Sequence, residues 1–179
     1  MMPLLLKPII LTDKSRLKEI YQLRVFAWEN SENSRFVNSR VFPDGWKDDF
    51  DDSATHWIIE ADNRIIASAR VYVANVKDNV MANRYETIVP CAFLSRLVVH
   101  PDHRKQGITH LMDNARLQFL KDENMARFVN VYVNRERILA FLRFGFIYTG
   151  KVTHQYSPDA EVDTSYQLTL KLADLKISE

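Results

Sequence analysis

The chain has 179 residues, 46% of them hydrophobic, and its 24 Lys+Arg against 23 Asp+Glu leave a net charge of +1. That length and apolar fraction point to a single globular domain over residues 1–179 and exclude wholesale disorder. Near-neutrality excludes a general nucleic-acid binder, which needs a basic field. The single cysteine, Cys91, cannot form an internal disulfide, which fits a reducing cytoplasm. Lys7 interrupts the apolar N-terminus, and no stretch approaches the about 20 apolar residues of a membrane span, so neither a leader nor a membrane partner is expected.

In chain order, Leu4 to Leu11 reads as a first strand. Thr12 or Asp13 caps a helix whose apolar spacing runs through Trp28. Residues 30–52 are polar and punctuated by Pro43 and Gly45, so they read as a loop or a loop plus a short helix. His56 to Ala61 and Arg64 to Val73 form a hairpin around Asp62-Asn63. Residues 75–90 read as a second polar connection, followed by a strand from Ala92 to Val99. Gln106 to about Leu120 reads as a one-sided helix on Ile108, Leu111, Met112, Ala115 and Phe119. Phe128 to Val133 alternates as a strand, and Glu136 to Arg143 is a short helix stopped by Gly145. Strands from Phe146 to Tyr156 and from Ser165 to Leu172 complete an α/β (α+β) chain with a mixed sheet. Phe119, Phe128, Phe144 and Phe146 read as core.

The segment Leu94 to Thr109 is a strand, a tight basic turn and a helix start. The first N–H groups of a helix lack internal partners and carry partial positive charge, which suits phosphate. Gly107 lets ligand oxygens approach the backbone, Arg104 and Lys105 add charge, and Thr109 adds a small hydroxyl. These features read as a pyrophosphate site; the plainer alternative is a solvated basic turn.

Leu97-x-Val99-x-Pro101-x-x-Arg104-x-x-Gly107-x-Thr109 resembles the acyl-CoA-binding signature of the GNAT N-acetyltransferase superfamily. Asn134, Phe141 and Gly145-Phe146 resemble that family's second segment, at family spacing. The resemblance implies the GNAT acyl-CoA N-acyltransferase fold, a mostly antiparallel mixed sheet flanked by helices. It implies acetyl-CoA in a V-shaped opening between the strand ending at Val99 and the strand Phe128–Val133. The backbone of Leu97, Val98 and Val99 would hold the pantetheine arm and the thioester. That of Arg104, Lys105, Gln106, Gly107, Ile108 and Thr109 would hold the pyrophosphate. Asn134 would bond the cofactor arm, and Phe141 lies at the cofactor position of the second motif. A primary amine would attack the thioester directly, with no metal.

Two positions depart from the family's usual chemistry. Phe141 stands where many members carry a tyrosine acid, and Ser95 stands near the usual glutamate base. Tyr148 and Ser95 are therefore the candidate catalytic residues, with Tyr132 as a further acid and His56 and His154 as bases. Each has a plainer structural reading as a packed strand side chain. His100, His103 and His110 do not complete a metal-ligand spacing, and no Cys-His-Asn arrangement surrounds Cys91.

Arg24-x-Phe26, Trp46, Asp48-Asp49-Phe50-Asp51, Thr55-His56, Arg70 and Ser95-Arg96 form a second series. It resembles the acyl-homoserine-lactone and N-acyl amino acid synthases, relatives of the same fold. Five aspartates, at 44, 48, 49, 51 and 52, surround Lys47, so −5 + 1 gives −4 over that loop. Asp48, Asp51 and Arg70 are candidate substrate-binding residues for a cationic amine. The alternative is that the carboxylates pair with Arg24, Arg70 and Arg96, since a buried guanidinium needs a partner. The sequence thus reads as an acetyl-CoA-dependent N-acetyltransferase acting on a small-molecule or peptide amine. The alternatives are a longer-chain N-acyl amino acid or lactone synthase and a CoA-binding sensor without turnover. A homodimer is compatible with all three.

Overall fold

A computed structural model describes residues 6–76 and 79–177. Leu4 and Leu5 of the first expected strand lie outside those residues. Among the described residues that strand, β1, is Ile9–Ile10, paired antiparallel with β2. Pro8 precedes it and has no N–H to donate, which shortens the ladder. Asp13 caps as expected: its carboxylate accepts from the Ser15 N–H at 2.9 Å. A 3-10 turn at Lys14–Arg16 then leads into α1, Leu17–Glu29.

Strands β2, Thr55–Ala61, and β3, Arg64–Ala74, form the expected hairpin elements. Asp62 and Asn63 between them have φ of +50° and +59°, the both-positive signature of a type I′ turn. The connection after β3 holds a short helix the periodicity did not reveal, α2, Val80–Arg84. Asn79 nucleates it, accepting from the N–H groups of Met81 at 2.9 Å and Ala82 at 3.2 Å. Strand β4 is Cys91–Val99, α3 is Ile108–Asp122, β5 is Phe128–Val133 and α4 is Ile138–Arg143. Strands β6, Ile147–His154, and β7, Asp163–Lys171, end the chain's regular structure.

The seven strands run in the order β1-β2-β3-β4-β5-β7-β6, mixed and mostly antiparallel, the architecture expected of an acyl-CoA N-acyltransferase. Strand β4 pairs β5 in parallel from Cys91↔Phe128 to Leu94↔Val131. Arg96 follows with φ +55°, a left-handed residue inside a strand, which interrupts the regular ladder. Helix α3 starts at Ile108 rather than Gln106. It buries Ile108, Met112, Leu117 and Leu120 together with Asp113 and Arg116, while Leu111 is exposed. Two charged residues in the buried stripe displaced the apolar pattern from the true core face.

The described residues fall into two compact units. The first takes residues up to Arg70, Arg96–Asp113 and Gln155–Asp163; the second takes Val71–Ser95, Asn114–His154 and residues from Thr164. The first unit packs Leu17, Ile20, Leu23 and Ala27 of α1 against Ile58, Ile65 and Val98. A second cluster there joins Val25, Phe36, Val37 and Trp46. The second unit buries Leu94, Val129, Val131, Phe141, Leu168 and Leu170. Phe144 and Phe146 are buried as expected, while Phe119 and Phe128 are half-buried.

Gly145 closes α4 at φ +95°, and a Cβ there would lie 2.9 Å from the Asp174 carbonyl oxygen. Left-handed backbone and a close main-chain neighbour both penalise a side chain. Gly145→Ala should lower unfolding free energy by about 1–3 kcal/mol in urea titration. A loss under about 0.5 kcal/mol would contradict the constraint.

Candidate active site

The acidic loop of the first unit is internally paired. Helix α1 turns Arg24 to its buried side, where the guanidinium donates to both Asp51 carboxylate oxygens at 2.8 Å and to the Trp46 carbonyl at 3.0 Å. Arg70 on β3 donates to Asp51 at 2.9 Å and Asp48 at 2.5 Å. Arg96 on β4 donates to Asp48 at 2.5 Å, with its guanidinium 4.0 Å from the Trp46 ring centroid and 5.7 Å from that of Tyr156. The loop fixes its own shape: Asp51 accepts from the Asp48 N–H at 2.9 Å, and Asp48 from the Phe50 N–H at 3.0 Å. Asp48, Asp51 and Arg70, the residues assigned to substrate, therefore lie together, in the paired arrangement the sequence offered as the alternative.

Three guanidinium groups face two carboxylates, so +3 − 2 leaves +1 in this cluster. Arg24 and Asp51 side chains are fully buried, and Arg70 is 2% exposed, whereas Asp48 and Arg96 retain 21% and 18%. Burial pushes both carboxyls up, but for Asp48 the charges of Arg96 and Arg70 win and hold it well below the usual carboxylate range. Asp51 is lowered too, because Arg24 bonds and neutralises it. Burial lowers the pKa of His56, whose Nε2–H donates to the Asp51 carbonyl at 2.8 Å. Its Nδ1 is buried without a partner, so the neutral ring acts as a clamp on the loop and not as a solvent-facing base. Sequence reasoning named all three arginines but missed the stacking of Trp46 and Tyr156 on Arg96. Trp46 beside the acidic run was the available signal.

The turn after β4 also belongs to the first unit. Pro101–His103 form a 3-10 turn, capped by His100. Lys105 and Gly107 then adopt φ of +62° and +75° just before α3 begins at Ile108. Alternating left-handed residues ahead of a helix orient successive N–H groups toward a concavity suited to an anion. A Cβ on Gly107 would meet nothing within 4 Å, so the protein's own atoms leave that approach open. Lys105, Gln106 and Gly107 are exposed, Thr109 is half-buried and Ile108 is buried. Leu97 is half-buried, and Val98 and Val99 are buried. The Arg104 side chain corrects one expectation. Its guanidinium bonds the carbonyls of Ala27 at 2.6 Å and Asn30 at 2.8 Å, capping the C-terminus of α1 instead of adding charge to the turn.

In the second unit, Asn134 is exposed just past β5, and its side chain makes no cap bond to the following 3-10 turn. Phe141 is 1% exposed and packs on Phe146 at 5.1 Å and Phe144 at 6.2 Å. Ser95 is half-buried, and its carbonyl accepts from Arg116 at 3.5 Å. Tyr148 is 51% exposed on β6, 6.2 Å from the Tyr166 ring. Strands β4 and β6 stand three steps apart in the sheet, about 14 Å at the usual spacing, so Ser95 and Tyr148 are not brought together. Cys91 is buried 3.3 Å from the Thr87 hydroxyl, and burial pushes its thiol up, away from nucleophilic character. Among the described residues no group of three or more side chains is arranged to hold a metal ion. Nor is any helix among them long and apolar enough to cross a membrane.

The description of the Acetyltransferase (GNAT) family matches residues 17–146, and the chain belongs to that family. The protein is thus an acyl-CoA-dependent N-acyltransferase, transferring an acyl group to an amine. Its fold is similar to that of FeeM, an N-acyl amino acid synthase from uncultured soil microbes, with TM-score 0.67 at 10% identity over 94% of this chain and 92% of that one. It is also similar to the ribosomal-protein-S18-alanine N-acetyltransferase of Escherichia coli, with TM-score 0.62, 13% identity and coverage of 93% and 94%. BjaI, a CoA-dependent acyl-homoserine lactone synthase, gives TM-score 0.64, 14% identity and coverage of 94% and 84%. No curated protein matches the sequence.

Removing one member of a buried ion pair strands the other charge. Asp51→Ala should cost about 3–5 kcal/mol, read by denaturant unfolding. The pH dependence follows from the shifts. His56 binds its proton more weakly folded than unfolded, so stability falls once pH drops below about 6.5. Asp48 and Asp51 stay ionised longer when folded, so their contribution is lost only in the more acidic carboxylate range. His56→Gln should flatten the upper limb of the stability–pH curve and leave the lower one; an unchanged upper limb would refute the His56 assignment.

Proposed function

We propose that the protein transfers an acetyl group from acetyl-CoA to a primary amine. The observation that carries this reading is the turn from Arg104 to Thr109, with left-handed Lys105 and Gly107 placed directly between β4 and α3. Its backbone N–H groups suit the cofactor's pyrophosphate. Leu97, Val98 and Val99 of the same unit supply strand backbone for the pantetheine arm. In the reaction the amine lone pair forms the C–N bond, the C–S electron pair leaves on sulfur, and the proton lost by nitrogen balances the thiolate.

A second reading is favoured by the arginine–aspartate cluster. Its +1 excess and its open corner at Arg96 and Asp48 suit an acceptor that carries a carboxylate beside its amine. The likeness of the fold to FeeM supports the same direction, toward N-acylation of an amino acid.

Thiol release with acetyl-CoA and longer acyl-CoAs over a panel of amines, beside calorimetric acetyl-CoA binding, tests both readings. Binding without thiol release would favour a CoA sensor. If Arg96 holds a carboxylate, an amino acid should exceed its decarboxylated amine in kcat/KM by about 10–150-fold. Equal rates would exclude the second reading. Gly107→Ala should weaken acetyl-CoA binding about tenfold, because the new methyl stands where the phosphate approaches; unchanged affinity would remove the turn from the site.

A further inference from the structure

Helix α1 ends without a cation of its own: its last turn holds no Lys or Arg, and Asn30 rather than glycine follows it. The last carbonyls of a helix lack internal partners and carry partial negative charge, so they call for donors. Local side chains serve two of them. Asn30 Nδ2 donates to the Phe26 carbonyl at 2.9 Å, and Ser31 Oγ to that of Trp28 at 2.7 Å. Arg104 serves two more, from 77 and 74 residues along the chain: Nη2 donates to the Ala27 carbonyl at 2.6 Å and Nη1 to that of Asn30 at 2.8 Å. Its Nε donates to the Val99 carbonyl, at the end of β4, at 3.4 Å. One guanidinium thus joins the end of α1 to the end of β4, with all three nitrogens on carbonyl groups. The Phe26 ring of α1 also meets the ring of His100 at 5.1 Å. All of these residues belong to the first unit.

The residue after this clasp is strained. Lys105 has φ +62°, a left-handed conformation that a residue with a Cβ adopts at a cost and keeps only where its surroundings impose it. Lys105, Gln106 and Gly107 are all exposed, so the turn is held from its two ends. At the far end the Gly107 carbonyl accepts from the N–H groups of His110 at 3.0 Å and Leu111 at 3.1 Å, in the first turn of α3. At the near end the anchor is the Arg104 side chain.

We propose that Arg104 is a positioning residue for acyl-CoA: its grip on the end of α1 holds Lys105 left-handed, so that the N–H groups of the turn face the pyrophosphate. The inference rests on the acyl-CoA reading of that turn. The guanidinium does not itself meet the phosphates, because its nitrogens are committed to Ala27, Asn30 and Val99. It acts through the backbone one residue on. Without it the α1 carbonyls lose their donors, and Lys105 is free to leave the left-handed region, which turns the following N–H away from the anion.

Calorimetric acetyl-CoA binding and initial-rate kinetics on the full chain test this role. Arg104→Ala should raise the acetyl-CoA Kd about tenfold or more and keep kcat at saturating acetyl-CoA within about twofold. Adding Lys105→Gly to that variant should recover about threefold or more of the lost affinity, since glycine takes left-handed backbone at no steric cost. A general weakening of the fold would not respond to residue 105 in this way. Wild-type affinity in Arg104→Ala, a fall in kcat as large as that in kcat/KM, or a Lys105→Gly that rescues nothing each overturns the proposal. Should Arg104→Ala fail to fold, Arg104→Gln keeps one amide donor for a carbonyl and decides by the same readings, with an expected Kd rise of about threefold or more. Wild-type protein that does not bind acetyl-CoA overturns the acyl-CoA reading of the turn itself. A wild type that binds, beside an Arg104→Ala that binds equally, overturns this inference alone.

Discussion

The bidentate Arg24–Asp51 pair is the interaction on which the first unit depends. Both side chains are fully buried, so neither charge has water to fall back on. Asp51 also receives Arg70, and its backbone carbonyl receives His56. One residue thereby ties α1 and β3 through its carboxylate, and β2 through its backbone carbonyl, to the acidic loop. Two of the loop's five aspartates, Asp48 and Asp51, are held by helix and strand arginines, while Asp44, Asp49 and Asp52 face solvent.

That constraint extends to Arg96. Its backbone is held in a left-handed conformation inside β4, and its guanidinium is held by Asp48 on one side and the Trp46 ring on another. A strained residue persists only where its surroundings over-determine it. Here the ion pair and the aromatic stack supply that determination, and the strand departs from its regular ladder just after Leu94. The cluster is thus buried at its centre and reaches solvent only at the corner where Asp48 and Arg96 keep some exposure.

Both units hold buried polar atoms without a partner: Arg24 Nε, His56 Nδ1 and Arg96 Nε in the first, and Asn130 Nδ2 and the Tyr132 hydroxyl in the second, where the rings of Tyr85, Phe93 and His154 surround Tyr132.

The sequence alone determined the order of elements, since periodicity, capping residues and turn chemistry are local. Asp13, the Asp62-Asn63 turn and Gly145 each act within a few residues of themselves. The turn from Arg104 to Thr109 was legible for the same reason, because its left-handed backbone at Lys105 and Gly107 is a local property. Helix α2 escaped because five residues are too few to show a period, and the buried face of α3 was misread because Asp113 and Arg116 occupy it. Partner choice belonged to the tertiary structure. Arg104 caps a helix more than seventy residues away, Asp48 and Asp51 meet three arginines from separate elements, and Tyr132 loses its partners beneath Tyr85. Charge and hydrogen bonding act through space, so composition shows that such groups exist, and only the fold decides which of them are satisfied.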